Sequence, residues 1–180
     1  TIYSMNRENH FVRENKRKQL DTKDFLPITK KEAEAKGWNE IDFLLISGDA
    51  YVDHPSFGAA IIGRVLEDEG YSVGILPQPN WEDENSFLEF GQPKYGVLIS
   101  GGNVDSMVAH YTVGKRRRTF DEYTPGGKAG KRPDRVIDVY SQAVKKVFPQ
   151  LPLVVGGLEA SLRRFAHYDY WADEILPSIA

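Results

Sequence analysis

A run of polar side chains between Asp49 and Gly58 could do chemistry, because acidic groups, an imidazole and the predicted start of a helix meet there. Backbone N–H groups in the first turn of a helix attract anions. Together with Asp53 and His54, they would bind an anionic or nucleotide-like ligand. The alternative is structural: Asp53 and Ser56 would cap the helix while His54 packs beside a proline. Both interpretations of this candidate binding loop stay open.

Two pairs of adjacent glycines lie farther along the chain, each directly after a predicted strand and each with a polar side chain within two residues after it. Glycine lets the backbone approach a ligand closely, although it also makes tight turns between a strand and a helix. Neither pair has GxGxxG or P-loop spacing, so no dinucleotide or ATP site is predicted. With the preceding loop, the two turns define a candidate ligand surface. Its residues are Asp53, His54, Ser56, Gly101, Gly102, Asn103, Gly156, Gly157 and Glu159.

A basic insertion, residues 111–133, interrupts the alternation of apolar segments. Arginines interleaved with aromatic rings are typical of surfaces that hold single-stranded RNA or a polyphosphate. The alternative is a solvated loop, or one that docks onto an acidic neighbouring domain. The basic residues are Lys115, Arg116, Arg117, Arg118, Lys128, Lys131 and Arg132, and the aromatic ones are Tyr111, Phe120 and Tyr123.

Other patterns point to packing more than to catalysis. Residues 163–171 hold five rings, His167 among them, and are too apolar to face water, so we expect them to form a covering lid or a domain interface. The four histidines are widely spaced, and no metal site is predicted. A hydrolase that uses Asp53 and His54 is disfavoured, because no activated nucleophile accompanies them.

The elements that position these residues alternate between strands and helices. Apolar runs predict strands at 41–46, 71–76, 95–100 and 153–155, and helical patterns occupy 56–69, 84–90, 134–148 and the stretch from about 158. This alternation predicts an α/β fold with an open parallel sheet and flanking helices. We expect a flavodoxin-like order, with the first strand between the second and third. The ligand crevice would then receive the loops 48–58, 101–106 and 156–161.

Composition sets further limits. The chain has 180 residues, a formal net charge of -3 and no cysteine. It lacks the roughly 20-residue apolar stretch that spans a bilayer, and it shows no secretory signal, so we expect a cytoplasmic protein without membrane partners. The charge balance is not typical of a nucleic-acid-binding domain as a whole. Residues 1–37 form a predicted polar arm, and residues 38–180 form one α/β domain that contains the insertion.

Several long segments closely resemble the N-terminal region of the YgiQ-like radical SAM proteins. The resemblance extends from about residue 25 to residue 171. It rests on GDAYVDHPSFG at 48–58, NVDSM at 103–107, YTP at 123–125, GKRPDR at 130–135, GGLEASLRR at 156–164 and HYDYW at 167–171.

The resemblance implies a larger parent enzyme, whose radical SAM barrel binds a [4Fe–4S] cluster and S-adenosylmethionine through a CxxxCxxC loop. Because this chain has no cysteine, we expect that barrel to lie in a C-terminal domain of the same parent, and this fragment to be non-catalytic by itself. The chain starts at Thr1 and stops where another strand is expected, as a fragment would. An accessory domain that supplies a substrate, cofactor or interdomain face is the leading hypothesis. The alternative is an RNA- or polyanion-binding module that uses the insertion.

The resemblance also raises the question of cobalamin. Related N-terminal domains look like cobalamin-binding domains, a three-layer sandwich in which a DxHxxG loop supplies a histidine to cobalt. Here Asp53 and Gly58 keep that separation, but His54 follows Asp53 directly. Cobalt ligation by His54 is therefore not expected. Cobalamin held without a protein histidine, and no cobalamin at all, both stay open.

Overall fold

A four-stranded parallel sheet organises the computed structural model, which describes residues 24–52 and 57–179. Its strands are β1 (Phe43–Ser47), β2 (Val73–Pro77), β3 (Gly96–Ser100) and β4 (Leu153–Gly156), in the order β2-β1-β3-β4. All three pairings are parallel. The predicted α/β class and the position of the first strand between the second and third are confirmed.

Five α-helices flank the sheet in the described ranges: α1 (Lys30–Ala35), α2 (Gly58–Asp68), α3 (Ser106–His110), α4 (Val136–Val147) and α5 (Gly157–Arg163). Two short 3-10 helices occupy Glu84–Leu88 and Pro125–Gly127, and an antiparallel hairpin pairs β5 (His167–Asp169) with β6 (Glu174–Leu176). No helix in this part of the chain is long and apolar enough to cross a membrane.

Helix α4 covers one face of the sheet, as its apolar stripe predicts. Val136, Tyr140 and Val144 lie on the buried side of the helix, and they belong to the same core as Ile46 and Ile99 of the sheet. The ring of Phe87 meets that of Tyr140 edge-on, with 5.8 Å between the centroids. This face of the sheet is packed against α4, with Leu153 and Val155 of β4 partly buried.

Helix α2 covers only half of the opposite face. It packs over β1 and β2 in a smaller core that includes Leu45 and Ile75. The last part of the predicted arm joins this core, since Leu26 is buried there. Residues 1–23 of that arm lie outside the described residues.

The other half of this face carries apolar side chains, and no helix of residues 24–52 or 57–179 covers it. Val154 of β4 is 58% exposed, and Ile62 and Val65 of α2 are 45% and 59% exposed. Leu98 of β3 is partly buried and lines the same groove as Ile62 and Val154. We call Ile62, Leu98 and Val154 the open face.

The two edges of the sheet also differ. Along β2, the N–H of Ile75 donates to the carbonyl of Pro27 over 2.9 Å, so the segment before α1 covers that edge. Along β4, no backbone hydrogen bond from the described residues reaches the outer edge. An uncovered edge strand presents unpaired N–H and C=O groups that favour pairing with another segment.

Candidate functional site

Loops from β1, β3 and β4 meet at the carboxyl edge of the sheet, where an open parallel sheet places its ligand crevice. Asp49 follows β1, Asp105 follows β3, and Glu159 lies in the first turn of α5. All three carboxylates are buried. A buried carboxylate is costly unless it is paired and hydrogen-bonded, and each of these has partners within the described part of the chain.

Arg132 connects the basic insertion to the end of β1 through buried ion pairs. Its guanidinium is fully buried and donates to Asp49 Oδ1 over 2.8 Å, and to the two oxygens of Asp121 over 2.8 and 2.9 Å. The other oxygen of Asp49 accepts from the N–H of Asn103 over 2.6 Å. Gly102 makes this approach possible, because its φ is +101° and a Cβ there would lie 2.2 Å from Asp49 Oδ1.

Glu159 joins the first turns of two helices. One carboxylate oxygen accepts from the N–H of Ser106 in α3 over 2.8 Å, and the other accepts from the N–H of Ile137 in α4 over 3.2 Å. The side chain is 0% exposed, and burial raises its pKa above the ordinary glutamate value. Glu159 therefore supports the fold and does not face a ligand surface.

Arg163 links α5 to the C-terminal hairpin. Its guanidinium contacts Asp105 at 2.7 Å and Asp169 at 3.6 Å. Asp105 also caps α3 by accepting from the N–H of Met107 over 3.0 Å. We expect the aromatic segment to pack, and this holds for Trp171, which is partly buried with its ring 6.5 Å from that of Tyr111, between centroids. Phe165, Tyr168 and Tyr170 are instead 66%, 59% and 44% exposed.

His110 is buried beside this charge network. Its Nδ1 lies 2.6 Å from Asp134 Oδ1, so the neutral ring donates there, while Nε2 has no hydrogen-bond partner in the described chain and lies 3.9 Å from Asp121 Oδ2. Burial lowers the pKa of His110, although the hydrogen bond to Asp134 opposes that shift, and nearby Arg132 lowers the pKa further.

We expect this histidine to make the fold sensitive to acid. Because its pKa is lower in the folded chain than the value of about 6.5 for an exposed histidine, the unfolded chain takes up the proton first as the pH falls. The stability associated with neutral His110 is present above about pH 6.5 and is lost as the pH falls through the folded pKa. Urea unfolding between about pH 5 and 8 measures this.

The matched variant is His110→Gln, which keeps a polar side chain but does not titrate. Its unfolding free energy should depend less on pH in this window than that of the unmodified chain. An NMR titration locates the histidine directly, since its ring resonance is the one missing from the variant. A folded pKa at or above the ordinary value would contradict the expectation.

A groove between α2 and the ends of β3 and β4 is the best candidate binding surface. Its volume is about 270 Å³, and it contains four predicted residues, Gly102, Asn103, Gly156 and Gly157. The apolar side chains of Ile62, Leu98 and Val154, from the open face, also line this groove.

The other predicted residues have different places. Gly101 is buried and packs against Glu159, where an added Cβ would lie 3.0 Å from the Cβ of the glutamate. Asp53, His54 and Ser56 lie outside the described residues. The chain reaches the groove immediately after them, because Gly58 is one of its lining residues.

The groove is small and mostly apolar, which limits what it holds. Small-ligand pockets enclose about 300–1,000 Å³, and a corrin ring with its tail is larger than a typical small ligand. As far as residues 24–52 and 57–179 define it, this groove does not enclose a ligand as large as cobalamin. The described residues also hold no group of three histidine, cysteine or acidic side chains that could bind a metal ion.

The basic insertion forms a separate and larger cleft. It encloses about 670 Å³ and is lined by Arg116, Arg117 and Arg118 with Phe120 and Tyr123. Arg132 was predicted as part of this basic surface, but it is buried in ion pairs and unavailable to a ligand. We call this pocket the arginine cleft.

Comparison with known proteins finds one matching family model and several longer relatives. The family model described as "Radical SAM N-terminal" matches residues 25–180. A UPF0313 protein of Clostridium botulinum (strain 657) is 54% identical over 160 residues, which cover 89% of this chain and 25% of that protein. A UPF0313 protein of Thermotoga petrophila is 54% identical over 155 residues, which cover 86% of this chain and 27% of that protein.

These relatives are much longer than the chain, which spans about a quarter of their length. No solved structure matches the sequence.

Proposed function

The chain belongs to the radical SAM N-terminal family, among the UPF0313 or YgiQ-like proteins, and from this premise we propose that it is an accessory domain whose open face receives another part of its parent protein. The radical chemistry then belongs to the parent. Because this chain contains no cysteine, the thiolates that hold a [4Fe–4S] cluster and leave an iron for S-adenosylmethionine come from outside these residues.

One observation carries the proposal: apolar side chains of α2 lie on the same side of the molecule as a sheet edge that no described segment covers. Val154 is exposed on β4, and the outer edge of β4 has no backbone partner among the described residues. In an α/β sheet, both faces are normally covered. The open face therefore resembles a core surface that a segment outside the described residues covers.

The rest of the parent is the occupant that fits best. The relatives extend well beyond the matched region, which is 25% of the Clostridium botulinum protein. A groove of about 270 Å³ admits side chains of a packing segment more readily than a large cofactor. Its glycines, Gly102, Gly156 and Gly157, let another backbone come close.

We expect Val154→Lys to have different effects in the isolated chain and in the longer parent. In the isolated chain the lysine reaches water, so the cost is at most about 1 kcal/mol from strand preference. In the parent the same lysine would be buried without a partner, which adds a penalty of about 2 kcal/mol or more. Thermal unfolding of both proteins measures the difference, as a fall in Tm of several degrees more in the parent.

Val113→Lys is the matched control. Val113 is 85% exposed and lies in the basic insertion, away from the open face. Its replacement should shift the Tm equally little in both proteins. Equal shifts for Val154→Lys in the two proteins would remove the support for an interdomain face.

A further inference from the structure

We propose that the arginine cleft binds a phosphate-bearing ligand with an attached aromatic base, that is, a nucleotide unit. The cleft encloses about 670 Å³, within the range of about 300–1,000 Å³ for small-ligand sites. It lies in the basic insertion, apart from the open face, so this proposal does not depend on the interdomain contact. Three observations support it: unpaired guanidinium groups, an exposed ring and a fixed backbone.

The cleft is positively charged, and acidic side chains neutralise only part of this charge. The side chains of Arg116 and Arg118 have no partner among the described residues. Arg117 forms an ion pair with Asp134, with 3.6 Å between Nη1 and Oδ2. Asp121 also lines the cleft, but its carboxylate is paired with buried Arg132. Glu122 is then the remaining acidic side chain of the lining. Guanidinium groups bind phosphate through charge-assisted and often bidentate hydrogen bonds.

Phe120 supplies a surface on which a base can stack. Its side chain is 58% exposed although it is held in place from behind. It pairs with Lys128 in an antiparallel bridge, and its ring lies so close to Gly127 that a Cβ there would fall 1.9 Å from Cε2. The ring is therefore supported on one side and available on the other. Stacking on aromatic rings is a general way to hold nucleic-acid bases.

The backbone that carries the arginines is fixed by the fold. Tyr111 and Arg117 form an antiparallel bridge, and the N–H of Arg118 donates to the carbonyl of His110 over 2.7 Å. At the other end of the insertion, Arg132 is buried against Asp49. The cleft is thus formed before a ligand arrives, which lowers the entropic cost of binding.

Fluorescence anisotropy of a labelled uridine oligonucleotide of about 12 residues tests the site, with the 180-residue chain at about 0.05 M salt. We expect measurable binding that Arg116→Gln/Arg118→Gln weakens about tenfold or more. The double variant should also reduce the slope of log affinity against log salt by about 1.4, the value for two lost phosphate contacts. Phe120→Leu should weaken binding without changing that slope.

Lys145→Gln/Lys146→Gln is the matched control, because it removes the same charge from the exposed side of α4. It should leave the affinity within about twofold, as only general charge is lost. Competition with UMP and with inorganic phosphate identifies the source of the nucleotide unit. Displacement by UMP indicates a free nucleotide, and binding of the oligonucleotide alone indicates a single strand.

Three results would overturn the proposal. The first is no binding of either the oligonucleotide or UMP. The second is equal loss of affinity in the arginine and lysine double variants, which would reduce the effect to net charge. The third is displacement by phosphate as effective as by UMP with no effect of Phe120→Leu, which would leave an anion site without base recognition. Circular dichroism spectra of the variants should match that of the unmodified chain, because the side chains of Arg116 and Arg118 have no partner among the described residues and their backbone hydrogen bonds are kept.

Discussion

Arg132→Met is expected to lower the free energy of unfolding by about 3–5 kcal/mol, because removing one member of a buried ion pair leaves the other charges uncompensated. Asp49 and Asp121 both depend on this guanidinium, which contacts each of them at 2.8 Å. Both carboxylates are buried, with Asp49 1% and Asp121 3% exposed. The insertion should therefore detach from the end of β1 in the variant. Urea unfolding followed by circular dichroism measures the change.

Two comparisons separate this effect from the loss of any arginine. Arg116→Met removes an exposed arginine from the same insertion and should change stability by no more than about 0.5 kcal/mol. Arg132→Lys keeps the charge, but one ammonium group cannot reproduce the forked contacts to two carboxylates, so an intermediate loss is expected. A loss below about 1 kcal/mol for Arg132→Met would show that the buried ion pair does not hold the insertion in place.

Glu159→Leu is expected to cost about 2–5 kcal/mol. The leucine fills a similar volume, but it leaves the N–H groups of Ser106 and Ile137 without acceptors, at about 1–3 kcal/mol for each buried group. Arg163 also loses a neighbouring charge, since its Nε lies 3.8 Å from a Glu159 oxygen. Chemical denaturation gives the loss, and hydrogen exchange should show faster opening at the first turns of α3 and α4.

Glu159→Gln serves as the graded comparison. The amide keeps one acceptor oxygen, so one of the two N–H groups stays satisfied and the loss should be about half as large. Ser161→Ala in the same helix changes an exposed hydroxyl and should have little effect. Wild-type stability in Glu159→Leu would mean that water replaces the carboxylate and that Glu159 does not join the two helices.

The sequence predicts the sheet well because the residues within and next to each strand are enough to define it. Short apolar runs bounded by glycine or proline define β1 to β4, and each predicted strand overlaps the observed one. The alternation of strands and helices predicts the parallel α/β class, and the flavodoxin-like order predicts β1 between β2 and β3, as observed. Short helices are harder to predict. Helix α3 has five residues, and it depends on the distant side chain of Glu159 as well as on the adjacent cap, Asp105.

The site is less predictable, because it depends on which distant side chains meet. Glu159 follows a glycine pair and was interpreted as facing a ligand, yet α5 turns it inward to the amides of α3 and α4. Nothing local distinguishes buried Arg132 from exposed Arg116, since both lie in the same basic insertion. The available signal was the position of Asp49 directly after a buried strand, which requires a partner but does not identify it.

His110 and Asp134 were also missed. They are separated by 24 residues and lie at opposite ends of the basic insertion, so no spacing motif joins them. The groove was partly foreseen, because glycines at neighbouring strand ends lie at one edge of a parallel sheet. The sequence does not predict the apolar side of the groove, since Val154 and Ile62 resemble ordinary core residues.

Hydrogen exchange in the longer parent protein, compared with the isolated 180-residue chain, tests the interdomain face most directly. Exchange reports local opening of backbone hydrogen bonds. We expect the amides of β4 (Leu153–Gly156) to exchange about tenfold or more slowly in the parent, while those on the packed side of α4 differ little. Equal exchange of the β4 amides in the two proteins would contradict the claim that the open face is covered by the rest of the parent.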